Sequence, residues 1–153
     1  IHERTARYIR RGYDLPVFET AVSELRRRGI DVIVHTILCL PGETKPDMLQ
    51  TIQYLNRQDI QGIKLQLLHI LKDTDLAEIY ASDPFPVPDP QEYYELLGSC
   101  ISHLRPDIVI HRLTGDGPKE LLTAPLWTCN KRQVLNQLQS YFKTHDIWQG
   151  KEY

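Results

Sequence analysis

The chain has 153 residues, 41% of them apolar, with 18 Lys and Arg against 20 Asp and Glu and a net charge of −2. That length suffices for one domain with a real core, and the near-neutral charge speaks against nucleic acid as a partner. No apolar run is long enough to span a membrane and no signal-peptide pattern is visible. The three cysteines, Cys39, Cys100 and Cys129, are odd in number, far apart and form no CxxC pair. Such a set builds no disulfide framework and fits a reducing cytoplasm. The sequence opens on Ile1 and its one methionine is Met48, so we expect a piece of a longer protein.

Asp14-Leu15-Pro16 opens the first clear helix. Asp14 can cap, and Pro in the first turn replaces an N–H that has no intrahelical partner. Val17, Phe18, Ala21, Val22 and Leu25 recur at helical spacing. Arg26-Arg27-Arg28 then falls in the last turn and Gly29 at the stop, where cations suit the helix dipole and Gly suits the left-handed cap. The arginine run therefore reads as a solvated helix end, not a nucleic-acid patch.

A nearly continuous apolar run, Val32 to Leu40, follows and breaks at Pro41-Gly42-Glu43. A strand without polar alternation reads as buried on both faces, as in the parallel sheets of α/β folds. The loop after such a strand is where these folds build ligand sites. A second helix is expected from about Lys45 to Asn56, capped by Thr44, with Met48, Ile52 and Leu55 on one face. Gly62–Ile70 is the next strand. Helix, strand, helix, strand with short links implies right-handed crossovers and a parallel sheet.

Lys72–Ser82 reads as a loop with a short helix, and Asp83–Pro90 as an extended proline-rich connector. Asp89-Pro90-Gln91-Glu92 opens a third helix as a capping box, with Tyr93, Leu96, Leu97, Cys100, Ile101 and Leu104 on its apolar face. Ile108–Leu113 is a third short strand. A loop, Thr114–Pro118, and a helical tail around Lys131–Thr144 complete the chain. We therefore expect one domain over 1–153, with 114–153 as a loop and helical C-terminal extension. The expected fold is α/β, with about three parallel strands and flanking helices.

Chemistry is concentrated on two strands. In GIKLQLLHI, Lys64 and Gln66 share one face, while Leu65, Leu67 and His69 share the other. A Lys and a Gln inside a buried strand are costly unless paired, so a barrel lumen or a ligand crevice explains them. The bland alternative pairs Lys64 with a buried carboxylate. His69 has the wrong parity to join them unless the strand ends first. The third strand exits through IHRLTGDG, which brings His111, Arg112 and Asp116 to one Gly turn. Arg112 can clamp a carboxylate or phosphate bidentately, or Asp116 can be its structural partner. His35 and Cys39 lie four residues apart on an extended chain, too far to share a metal ion, and read as core or lumen residues. No metal site is expected.

HTILCLPGET, His35 to Thr44, resembles the fifth-strand segment of the radical S-adenosylmethionine (radical SAM) superfamily. There a G-x-I-x-G pattern packs against the cofactor's adenine; this chain keeps Ile37 and has His35 and Cys39 at the glycine positions. RYIRRGYD, Arg7 to Asp14, resembles a segment of the elongator and coproporphyrinogen-oxidase branches. IKLQLLHILKDTDL and VIHRLTGDGPKELLTAPLW are similar to an uncharacterised bacterial radical SAM family of the YhcC type. The resemblance covers nearly the whole chain in several blocks in the right order. It implies the C-terminal part of a partial parallel (β/α) TIM-like barrel, with S-adenosylmethionine and a [4Fe-4S] cluster as cofactors. By the same resemblance, Arg11, Ile37 and Cys39 are cofactor-binding residues, Arg11 reaching the SAM carboxylate.

The cluster motif CxxxCxxC is missing from this chain, so the cluster ligands are expected upstream and this piece alone is expected to be inactive. The resemblance further implies an electron donor such as flavodoxin or ferredoxin, and the donors and positive charges of the two polar strands suit an anionic substrate. Its expected contacts are Lys64, Gln66, His69, His111, Arg112 and Asp116. Two other readings stay open. One is a non-catalytic α/β ligand- or protein-binding domain. The other is a hydrolase, which lacks a nucleophile–base pair and metal ligands here.

Overall fold

The computed structural model describes residues 1–115 and 117–153. Helix α1 covers Glu3–Tyr8 and α2 Leu15–Arg27, followed by strand β1, Ile33–Leu38, and helix α3, Lys45–Asn56. Strand β2 is Gly62–Leu67, and a short β3, Ile70–Leu71, leads into α4, Asp75–Ser82. Helix α5, Pro90–Ser102, precedes β4, Val109–Arg112; β5, Leu122–Ala124, and α6, Lys131–Thr144, close the chain.

Caps mark the helix starts. The Asp14 carboxylate accepts from the Val17 N–H at the head of α2. Thr44 with Asp47 and Asp89 with Glu92 form reciprocal capping boxes on α3 and α5, each with Pro in the first turn. These satisfy N–H groups that a helix leaves unpaired.

The main sheet has the order β1-β2-β4, all parallel. Ile33, His35 and Ile37 stand opposite Gly62, Lys64 and Gln66, and Lys64 stands opposite Arg112. Period-2 alternation separates two faces. Leu38, Ile63, Leu65 and Leu67 look into a core closed by Met48, Ile52 and Leu55 of α3 and by Tyr93, Leu97 and Cys100 of α5. Val134 and Leu138 of α6 join that core from beyond α5.

The other face is open. Ile33 and Ile37 are each 41% exposed and Val109 is 58% exposed. The expectation that β1 is buried on both faces is therefore corrected within this chain, because only the α3 and α5 side is covered. The strand is also shorter than Val32–Leu40. Gly62–Ile70 divides as well: the Leu68 N–H donates to the Leu38 carbonyl, and Ile70–Leu71 turns off to pair antiparallel with Leu122–Ala124. The sequence gives no sign of this second sheet, since its strands are two and three residues long and exist only through each other. Helix α1 is likewise too short to show periodicity. It is held by tertiary bonds: His2 Nε2 donates to the Asp47 carbonyl and Arg4 to the Gly42 carbonyl. Among the described residues, no helix is long and apolar enough to cross a membrane.

Candidate functional site

Two neighbouring regions hold nearly all the polar residues singled out in the sequence. The first is the open sheet face. Parallel register sets His35, Lys64 and Arg112 side by side across three strands, with Gln66 in the next row. An Arg112 Nη1–H donates to Gln66 Oε1 at 3.4 Å, and the Gln66 amide nitrogen lies 3.5 Å from His35 Nδ1. His111 shares that face by alternation from Val109 and lies over Gly62, while a break in the β2–β4 register between Ile63 and Lys64 sets Arg112 opposite Lys64. Among the described residues, no carboxylate pairs with Lys64 or Arg112. Desolvation lowers the pKa of His35, and the positive charges of Lys64 and Arg112 add to the effect.

His69 is placed differently. It lies past the end of β2, against Gly115 and Gly117, where a Cβ on Gly115 would come within 2.5 Å of its ring and one on Gly117 within 2.9 Å. These two glycines thus make room for this imidazole. Asp116 lies outside the described residues.

The second region is a hollow of about 250 Å³ between the start of α2, the free edge of β1 and α3, lined by Arg11, Tyr13, Phe18, Ile37, Glu43 and Tyr54 among others. Arg11 is the notable member. Its Nε–H donates to the Tyr13 carbonyl at 2.8 Å, and its guanidinium lies 4.9 Å from the centre of the Tyr13 ring. Its Nη2 is buried with no hydrogen-bond partner among the described residues. A buried, unsatisfied guanidinium nitrogen is what an incoming carboxylate would complete.

Cys39 does not share this hollow with Ile37. Its φ is +64°, a left-handed conformation unusual for a residue with a side chain. It lines a separate concavity with Met48, Val87 and Leu96 on the far side of the sheet. Burial, followed by the negative charges of Glu43 and Glu92, pushes its thiol up to about 12. Cys100 sits in the core and its thiol is also pushed up to about 12, chiefly by burial. Among the described residues no three His, Cys, Asp or Glu are grouped as metal ligands. The residues present therefore do not fit an iron–sulfur cluster, whereas the Arg11 hollow fits a carboxylate-bearing ligand.

Sequence reasoning left two residues out of the site. His35 was read as core or lumen, although its register with Lys64 is what puts it on the open face. Glu43 lies in the loop after β1, where ligand groups collect, and it lines the Arg11 hollow.

A family model for the radical SAM C-terminal domain matches residues 60–144. The chain belongs to the radical SAM C-terminal domain family. YtqA of Bacillus subtilis is 36% identical over 151 residues, covering 99% of this chain and 47% of that protein. YhcC of Escherichia coli K12 is 30% identical over 146 residues, 95% of this chain and 47% of its own length. This radical SAM chain thus spans about half the length of the curated relatives it matches. Among solved structures, an archaeal Elp3 from Methanocaldococcus infernus with an N-terminal deletion superimposes with a TM-score of 0.80 over 97% of this chain and 35% of that one. At 15% identity that likeness concerns the fold, three parallel strands flanked by helices as the β/α order predicts.

Proposed function

We propose that this radical SAM chain is part of an enzyme that uses S-adenosylmethionine and a [4Fe-4S] cluster to start radical chemistry on an anionic substrate. Held by Arg11 and Ile37, S-adenosylmethionine would supply a 5′-deoxyadenosyl radical on taking up one electron, with methionine as the leaving group. The cluster ligands lie outside this sequence, and the chain alone is inactive. A ferredoxin or flavodoxin is the class of electron donor such chemistry needs.

This chain's own residues have two tasks. Arg11, with Ile37 along the β1 edge, holds the carboxylate end and the adenine side of S-adenosylmethionine. Cys39 contributes backbone at the β1 exit. Lys64, Gln66, His111 and Arg112, with His69 past the end of β2, position the substrate, and Asp116 is assigned to the same task. Positioning is most of the protein's task, because a radical is productive only when the target C–H is fixed close to it.

The observation that carries this reading is the open face, on which two cations lie beside a Gln and two His without a paired carboxylate among the described residues. Lys64→Met and Arg112→Met in the full-length, cluster-loaded protein test it. The expected result is that cleavage of S-adenosylmethionine without substrate persists while substrate turnover is lost. If the protein unfolds or no longer loads its cluster, the two residues brace the sheet and the assignment falls. A CxxxCxxC motif encoded upstream of Ile1 supports the radical reading; a start codon directly before Ile1 favours a self-contained binding domain.

A further inference from the structure

Three details of the open face go together. His35, Lys64 and Arg112 form one row across β1, β2 and β4, with neighbouring strands about 4.8 Å apart. A long Lys and a long Arg on adjacent strands can therefore meet on one small group. Among the described residues no acid is paired with either.

The third detail is the protonation of His35. Gln66 Oε1 accepts from Arg112, so its amide NH2 faces His35 Nδ1. An amide nitrogen only donates, so Nδ1 must accept, and the neutral ring carries its proton on Nε2. A protonated ring would set two donors against each other. Turning the Gln66 amide over would instead aim its NH2 at the Arg112 guanidinium. Gln66 thus ties His35 to the neutral form with Nε2–H free to donate. The charged groups bearing on His35, Lys64 of β2 and Arg112 of β4, act in the same direction.

We propose that the open sheet face binds a dianion of the phosphate-monoester kind, its two charges matched by Lys64 and Arg112 and a third bond donated by His35 Nε2–H. This rests on the reading of that face as the substrate site. His35 is then a binding residue beyond those the sequence suggested, and Gln66 is the positioning residue that fixes its tautomer.

The test is a titration of the full-length protein at pH 8 with three probes. Methyl phosphate is a dianion there, while dimethyl phosphate has nearly the same shape and one charge. Acetate is a small monoanion. Binding is followed by the ring ¹⁵N signals of His35, which also report the tautomer directly. We expect methyl phosphate to bind about tenfold or more tightly than either monoanion, with Nε2 protonated. His35→Phe should weaken methyl phosphate severalfold, and His35→Asn, which keeps a donor, should recover part of it. Equal binding of all three probes overturns the dianion proposal and leaves an anionic substrate site standing. No binding of any probe overturns both. The probe comparison on unaltered protein needs no variant to fold.

Discussion

The imidazole of His111 occupies the space that a side chain on Gly62 would need: a Cβ there would lie 2.7 Å from two of its ring atoms and 3.0 Å from Ile33 Cγ1. His111 is exposed, so its ring can swing away. Gly62→Ala is therefore expected to cost under about 1 kcal/mol, below the usual range for overpacking. It should move His111 off the open face. Chemical denaturation together with the ring signals of His111 checks this. A large stability loss with an unmoved ring would contradict it.

The imidazole of His69 has less freedom, because it is half-buried beneath Gly115 and Gly117. Gly115→Ala forces a Cβ against the ring and should cost about 1–3 kcal/mol. Adding His69→Ala to that variant should return part of the loss, since the clash disappears with the ring. Additive single effects in a double-mutant cycle would sink the account.

Arg11→Met removes a guanidinium whose Nη2 is buried and unsatisfied. Stability should change by no more than about 1 kcal/mol, because the loss of the bond to Tyr13 is offset by removal of an unpaired polar group. Affinity of the full-length protein for S-adenosylmethionine should drop about tenfold or more, the size of a charged hydrogen bond. Calorimetric titration beside a melt of the same sample separates the two. A melt that falls while binding holds would make Arg11 structural.

Asn56 joins α3 to the link before β4. Its side chain donates to the His103 carbonyl at 2.7 Å and accepts from the Arg105 N–H at 2.9 Å, while Arg105 Nη1 donates back to the Asn56 carbonyl at 2.6 Å. Asn56 is buried, so Asn56→Ala leaves two backbone groups without partners and should cost about 2–4 kcal/mol. Urea denaturation checks the figure, and a loss under half a kcal/mol would mean that water replaces the side chain.

The thiols of Cys39 and Cys100, pushed up to about 12, remain protonated at pH 8, and the thiolate is the reactive form. Alkylation of the folded chain near pH 8 should therefore modify the half-buried Cys129 first and reach the other two only on unfolding. Rapid modification of Cys39 in the folded chain, read by mass spectrometry, would overturn the raised thiol.

Local chemistry made much of this chain legible in order. The α2, α3 and α5 starts follow from Asp14, Thr44 and Asp89, whose side chains act within three residues, and the inward-facing Leu65 and Leu67 follow from period-2 alternation. That Lys64 and Gln66 share a face also follows from alternation, because parity is a local property. The motif blocks carried the family.

What alternation along one strand cannot give is the neighbour on the next. Only register across β1, β2 and β4 brings His35 beside Lys64 and Lys64 beside Arg112. The end of β2 at Leu67 let the chain carry His69 beneath Gly115 and Gly117, and the left-handed φ of Cys39 turned its thiol away from Ile37. The hollow at Arg11 depends on residues more than forty positions apart, from Arg11 to Tyr54. Periodicity, caps and breakers act over a few residues, and they specified the elements. Register, strand ends and single backbone conformations are settled by packing between elements, and they decided which polar groups meet.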